Sequence, residues 1–243
     1  MARKHEAADL LLQGNPPSRV AEKMGISFAS VKQYLCNQVG EGRIFRYQIL
    51  HSIDRNARDV FESTIEKSTP RSSLDDFLAL LGKELRAAGV PFDANDLLTY
   101  LEFRDAALAD MYELIRKVET HLHRSIKKAL KAKFGENSWW REGIPENIRV
   151  ECAGLLEKDQ EPAKDPYCYT TVMHLKDIYD KRWAILVSTL PDRVQADKQA
   201  FLADLTRLNR IRNSVMHPVR GIRLRDDDFS FVQEFKTSLE IKV

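Results

Sequence analysis

The sequence has few of the residues that interrupt helices or build disulfide frameworks. Its 243 residues include 10 glycines and 9 prolines, and its apolar residues recur at three- and four-residue spacing, a pattern typical of helices. The 3 cysteines are an odd number without paired spacing, which argues against a disulfide framework and favours a reducing compartment. No apolar run approaches the length of a membrane span, and the start MARKHEAADLLLQG is too polar for a signal peptide. We therefore expect an all-α protein of the cytoplasm with no membrane partner.

The overall charge and the short motifs of nucleotide-binding proteins give little indication of a ligand. The formal net charge is +2, too small to indicate nucleic acid or a membrane surface by itself. The sequence contains neither GxxxxGK[ST] nor GxGxxG, the motifs that hold nucleotide phosphates at a helix N-terminus. Its histidines lack metal-ligand spacing with cysteine or carboxylate. The sequence thus predicts no cofactor and no metal site.

Breaks in the helical pattern divide the chain into three predicted parts. These are an N-terminal module over 1–67, a helical connecting segment over 72–107 and a helical bundle over 108–243. The bundle is predicted to contain four helices, at about 110–134, 145–158, 170–189 and 195–217.

The N-terminal stretch SRVAEKMGISFASVKQYL resembles a helix-turn-helix, and the resemblance covers residues 7–37. Ala21 lets the two helices cross closely, and Gly25 permits the turn between them. The second helix would expose a polar face to base edges and phosphates in a DNA major groove. That face consists of Ser27, Ser30, Lys32 and Gln33. The alternative is a three-helix packing module that uses the same turn without nucleic acid.

A run that favours β-structure, GEGRIFRYQIL, follows this module and predicts a short β wing. Arg46 and His51 lie in it at Arg-x4-His spacing, and we interpret them as a solvated edge or as phosphate contacts. The same spacing occurs at Arg116 and His121, which we read as surface residues, and again near the end of the chain. The spacing alone therefore identifies no site.

The last of these pairs lies in RNSVMH, residues 212–217, at the end of the final bundle helix. Asn213 follows Arg212 directly. Pro218 disfavours a helical conformation for His217, so the imidazole is expected at the C-terminus of the helix. A group that titrates near neutrality beside a permanent guanidinium suits phosphodiester chemistry, because arginine can hold the phosphate while histidine moves a proton.

Four helices ending in Arg-Asn-x3-His are similar to the HEPN superfamily of ribonucleases, over residues 108–240. The loop FGENSWW and the following GIP resemble one branch in particular, which includes a eukaryotic endoribonuclease of nuclear mRNA quality control and bacterial defence proteins. The resemblance implies metal-independent RNA cleavage at a homodimer interface, with 2′,3′-cyclic phosphate and 5′-hydroxyl products. His217 would act as base or acid, Arg212 would stabilise the phosphorane, and Asn213 would position the phosphate or the histidine.

Three further residues are implicated near this motif. Glu119 lies among the apolar residues of the first bundle helix, and HEPN domains often carry an acidic residue there that contacts the arginine or the histidine. The alternative is that Glu119 reaches a nearby lysine. Arg220 and Arg223 would guide a phosphate backbone, or they would pair with the aspartates that follow them.

The leading hypothesis is an endoribonuclease of defence or toxin type, with RNA as substrate and DNA as a second candidate partner of the N-terminal module. One alternative is a helix-turn-helix transcription regulator that uses an inactive HEPN bundle to dimerise. Another is a non-catalytic subunit that binds a nucleotide or a protein. We expect Trp139 and Trp140 to pack the loop against the bundle rather than to stack on RNA bases.

Overall fold

A computed structural model describes residues 2–67, 73–90, 93–161, 165–217 and 224–241. These residues form helices and connecting turns with no strand among them, so the all-α prediction is confirmed. The chain divides into two compact units, Met1–Asp110 and Met111–Val243. The division falls close to residue 108, where the predicted bundle begins.

The described residues of the first unit form six helices and the beginning of a seventh. They are α1 (Ala2–Leu12), α2 (Pro17–Met24), α3 (Phe28–Gly40), α4 (Arg46–Ser52), α5 (Arg55–Lys67), α6 (Leu74–Ala87) and the first part of α7 (Ala94–Phe134).

Local chemistry defines the turn between α2 and α3. Gly25 ends α2 in the left-handed conformation with φ 59°, which costs glycine no steric strain. Ser27 then caps α3, because its side chain accepts a hydrogen bond from the backbone N–H of Ser30. The start of α2 lacks a cap of its own, and the carboxylate of Asp96 takes that role by accepting from the Ser18 N–H at 2.8 Å. Burial raises the pKa of this carboxyl, and its bonds from Ser18 oppose the rise.

The predicted β wing is wrong: residues 41–45 form turns and bends without a strand, and residues 46–50 of the run lie in α4. Tyr47, Ile49 and Leu50 are all buried, and a helix places them in the core of the unit where an exposed wing could not. Tertiary packing here overrides the β propensity of the run. Arg46 is also not a solvated edge, since its guanidinium bonds the Asp110 carboxylate at 2.6 Å.

In the second unit, the part of the chain that the structure describes forms the rest of α7 and six further helices. They are α8 (Glu146–Lys158), α9 (Val172–Lys181), α10 (Trp183–Leu186), α11 (Asp192–Gln195), α12 (Lys198–Met216) and α13 (Asp226–Ser238). A π-helical turn at Trp139–Gly143 follows α7, and 3-10 turns lie at Pro166–Tyr169 and Val187–Thr189.

The helix predicted at 170–189 is interrupted at Arg182. That residue has φ −118° and ψ 23°, outside the helical region. Its guanidinium donates to the carbonyl oxygens of Gly143 at 2.9 Å and Glu142 at 2.7 Å. These bonds satisfy carbonyl groups of the π-helical turn and give a physical reason for the break between α9 and α10.

The two adjacent tryptophans pack within the second unit. Trp139 is 6% exposed, and its ring meets the fully buried ring of Tyr167 edge-on at 5.2 Å. The Tyr167 hydroxyl donates to the His123 carbonyl at 3.0 Å, which satisfies the polar group at the end of this buried ring. The expected packing role of Trp139 is confirmed.

The docking of α13 on α12 centres on one carboxylate. Asp228 is fully buried and accepts the backbone N–H of Arg225 at 3.0 Å. It also pairs with the guanidinium of Arg210, with Arg207 at 3.6 Å and with Arg225 at 3.9 Å. A buried carboxylate requires such partners, because desolvation of an unpaired charge is costly.

None of the helices in the described parts of the chain combines the length and the apolar character needed to cross a membrane.

Candidate active site in the second unit

The helix α12 presents two different faces. Phe201, Leu205, Leu208 and Ile211 are buried, and their spacing of three and four places them on one side. Asp197 caps the helix by accepting from the Ala200 N–H at 2.9 Å. The residues Asn209, Arg212 and Asn213 are half-buried on another side.

Arg212 and Glu119 meet across the second unit. The Nε of Arg212 donates to the Glu119 Oε1 at 3.1 Å, and each side chain is 30% exposed. This is the contact that the HEPN resemblance implies for the acidic residue of the first bundle helix. The Nη1 of Arg212 lies 3.4 Å from the Asn213 side-chain oxygen, and its Nη2 has no partner among the described residues.

Burial affects the protonation of Glu119. Desolvation raises the pKa of this carboxyl, and the charge and the hydrogen bond of Arg212 oppose the rise. The carboxylate therefore depends on the arginine for its ionisation, as expected for a charge removed from water. The pairing holds one edge of the guanidinium in place, and the Nη2 atom bonds no described residue.

His217 lies at the end of α12, where the following proline predicts it. The last helical residue is Met216, and His217 has φ −129° and ψ 64°. Its backbone N–H donates to the Asn213 carbonyl at 3.1 Å, while its side chain is exposed and bonds no described residue. The structure thus brings Glu119, Arg212 and Asn213 together and leaves the imidazole in solvent.

Arg212 also lines a cleft of about 400 Å³. One wall consists of Glu119, Thr120, His123 and Arg124 on α7, and another consists of the segment from Cys168 to Val172. The four α7 positions are separated by one, three and one residues, which is the spacing of one helix face. The sequence therefore indicates that they lie on the same side of α7. Nothing in the sequence placed residues 168–172 opposite them, because that approach depends on tertiary packing.

The histidine in the cleft wall is held by its surroundings. The His123 Nε2 lies 3.0 Å from the Tyr167 carbonyl oxygen, and the two rings stack with centroids 3.9 Å apart. Burial lowers the pKa of His123, although the bond to the carbonyl favours the protonated form. A carbonyl accepts only from an N–H, so the neutral ring carries its proton on Nε2.

The four predicted nucleic-acid contacts of α3 already have partners within the first unit. The Oγ atoms of Ser27 and Ser30 lie 2.9 Å apart. The ammonium of Lys32 pairs with Glu102 of α7. Gln33 is exposed and donates to the Asn37 side chain at 3.1 Å. Of the remaining predicted contacts, Arg220 and Arg223 lie outside the described residues.

The second copy of the Arg-x4-His spacing has a different setting. Arg116 is exposed and makes two hydrogen bonds to Glu113, both at 2.8 Å, and it does not line the cleft. In the part of the chain that the structure describes, no group of three or more His, Cys, Asp or Glu side chains is arranged to hold a metal ion.

Comparison with protein-family models, with curated proteins and with solved structures finds no match to this chain.

Proposed function

We propose that the chain is a HEPN-type endoribonuclease of defence or toxin type, which cleaves RNA without a metal ion at a site shared by two copies of the chain. The contact between Arg212 and Glu119 carries this proposal. A carboxylate from α7 orients a guanidinium at the end of α12, next to an asparagine and one turn before a histidine. These residues suit the binding and activation of a phosphodiester.

The geometry of Arg212 supports a role on phosphate. Glu119 occupies its Nε, so the Nη2 side remains for the non-bridging oxygens of a phosphate. Charge that develops on the phosphorane would meet a guanidinium that needs no further reorientation, which is the condition under which fixed charge contributes most to catalysis.

The chemistry requires two proton transfers. The 2′-oxygen loses its proton to one histidine and attacks phosphorus, the bond from phosphorus to the 5′-oxygen breaks, and that oxygen takes a proton from a second histidine. One copy of the chain supplies one histidine at this position. The exposure of His217 leaves it accessible to a second copy, which supports a homodimer with two arginines and two histidines at the shared site.

A cleavage assay in EDTA tests the proposal. Purified protein is incubated with a mixed RNA substrate, and the product ends are identified by mass spectrometry. We expect 2′,3′-cyclic phosphate and 5′-hydroxyl ends, and a loss of at least 100-fold in rate for Arg212→Ala and for His217→Ala. If wild type and both variants degrade RNA at the same rate, the proposed ribonuclease activity is rejected.

The chain offers its own matched control at Arg116 and His121, which repeat the Arg-x4-His spacing outside the cleft. Arg116→Ala and His121→Ala should cleave RNA at the wild-type rate. Light scattering on the same samples should give a dimer, and a monomer that cleaves RNA would contradict the shared site.

The N-terminal module is proposed to dock on nucleic acid. Ser27 and Gln33 are exposed on α3, which supports this role, whereas the pairing of Lys32 with Glu102 opposes it. Fluorescence anisotropy with labelled RNA and duplex DNA distinguishes the possibilities. Sequence-specific binding of duplex DNA without RNA cleavage would favour a transcription regulator over a ribonuclease.

A further inference from the structure

The cleft beside Arg212 contains more than the residues that phosphate chemistry needs. Its volume of about 400 Å³ falls within the range of roughly 300–1,000 Å³ that small-molecule sites occupy. The lining adds Thr120, His123 and Arg124 from α7 to Thr170 and Thr171 from the opposite wall. None of these five residues belongs to the proposed catalytic set.

The charge of the cleft favours an anion. Glu119 neutralises Arg212, whereas Arg124 forms no hydrogen bond or ion pair with any described residue. Two other cations of the same helix have acidic partners: Arg116 pairs with Glu113, and Lys127 pairs with Asp165. Among the described residues, Arg124 is therefore a positive charge on the cleft wall without an acidic partner.

The neutral polar groups of the cleft suit a nucleobase. His123 donates through Nε2 to a backbone carbonyl, so its Nδ1 is left as an acceptor. The Thr120 hydroxyl has no hydrogen bond with a described residue and offers both a donor and an acceptor. A base edge presents both donors and acceptors, so it can bond both side chains. An inorganic phosphate would leave the Nδ1 acceptor of His123 unused and would fill only part of the cleft.

We propose that the cleft is a nucleotide subsite, which holds the nucleotide adjacent to the scissile phosphate with its own phosphate on Arg124 and its base against His123 and Thr120. The subsite rests on the proposed ribonuclease function, because Arg212 belongs to both. It adds a binding contact outside the catalytic arginine and histidine. Because the base contacts His123 and Thr120, residues of α7 would determine which base the subsite prefers.

Isothermal titration of the full chain with cytidine 3′-monophosphate, adenosine 3′-monophosphate and inorganic phosphate tests the subsite directly. We expect both nucleotides to bind more tightly than inorganic phosphate. Arg124→Ala should weaken nucleotide binding about tenfold, the change expected from one charged hydrogen bond. Arg116→Ala is the matched control, since both arginines are exposed on α7, and it should bind nucleotides like wild type.

Equal nucleotide affinity in wild type and Arg124→Ala would overturn the subsite. The same holds for no nucleotide binding at millimolar concentration, and for inorganic phosphate that binds as tightly as the nucleotides.

RNA cleavage separates this inference from the proposed function. Arg124→Ala should raise KM for RNA about tenfold at unchanged kcat, because it removes binding and not chemistry. Cleavage that requires Arg212 and His217 but ignores Arg124 overturns the subsite and leaves the ribonuclease intact. Nucleotide binding that depends on Arg124, in a chain that cleaves no RNA, supports the subsite and overturns the ribonuclease.

Discussion

The buried carboxylate of Asp228 allows a quantitative test of how the second unit is held together. Replacement by alanine removes the acceptor of the Arg225 backbone N–H at the start of α13, and it also removes the shared partner of the guanidiniums of Arg207 and Arg210 on α12. Both helices lose a contact at once. The side chain is fully buried, so water does not replace these bonds in the native structure.

The expected cost follows from the groups that are left behind. Breaking a buried ion pair by removing one partner costs about 3–5 kcal/mol. The side chains of Arg207 and Arg210 are 33% and 42% exposed, so solvent compensates part of the lost contact. We expect Asp228→Ala to reduce the free energy of unfolding by about 3 kcal/mol. Asp228→Asn, which keeps an acceptor for the helix N-terminus, should cost about 1 kcal/mol.

Urea denaturation followed by tryptophan fluorescence measures this effect, because all 3 tryptophans, at positions 139, 140 and 183, lie in the second unit. The neighbouring Asp227 is the matched control. It also bonds Arg207, at 2.8 Å, but it is 59% exposed, and Asp227→Ala should cost less than about 1 kcal/mol. Equal losses in the two alanine variants would refute the argument that burial makes the Asp228 contacts strong.

Three further predictions concern packing, protonation and thiol reactivity. Gly143→Ala places its Cβ 3.0 Å from a fully buried leucine side chain and should destabilise by about 1–3 kcal/mol. Gly154→Ala, in a helix with open space around it, should stabilise by up to about 1 kcal/mol in the same urea titration. Burial raises the pKa of Glu119 above its ordinary value of 4.5, so the protonated form is favoured in the folded state. The stability of wild type relative to Glu119→Gln should therefore fall as the pH rises from 4.5 through the folded pKa, and a rise over that window would contradict the assignment. Burial raises the pKa of Cys152 to about 11, so at pH 8 a thiol reagent should modify the exposed Cys168 quickly and Cys152 only on unfolding.

Parts of the fold that depend on neighbouring residues were predictable from the sequence. The sequence offers Ser72 or Ser73 as the cap of α6 and Gly89 as its stop; Ser73 caps the helix by accepting from the Asp76 N–H, and Gly89 follows its end with φ 65°. The residues Gly25 and Ser27 define the turn before α3 in the same way. In each case a single side chain or its absence determines the local conformation, and no distant contact is needed.

Features that depend on distant contacts could not be read from the sequence. The run that favours a strand becomes α4 because the core of its unit accepts its apolar side chains, and the break at Arg182 depends on carbonyl groups about 40 residues earlier. In the candidate site, the motif indicates Arg212 and Asn213, and the family resemblance indicates Glu119. The cleft at His123 and Arg124 depends on residues 168–172, which complete it only in the folded chain.

The way Arg212 is held has a consequence for its replacement by lysine. Its guanidinium uses Nε for the carboxylate of Glu119, and its Nη2 bonds no described residue, so under the proposed function one planar group would serve two anions on different edges. A lysine ammonium has a single nitrogen on a flexible stem, and its one charge centre would be drawn toward the carboxylate that is already present. Arg212→Lys would therefore retain the charge at this position while removing the second anion site. Under the proposed function, the identity of the cation at residue 212, rather than its charge alone, would determine whether a phosphate and Glu119 can be bound at the same time.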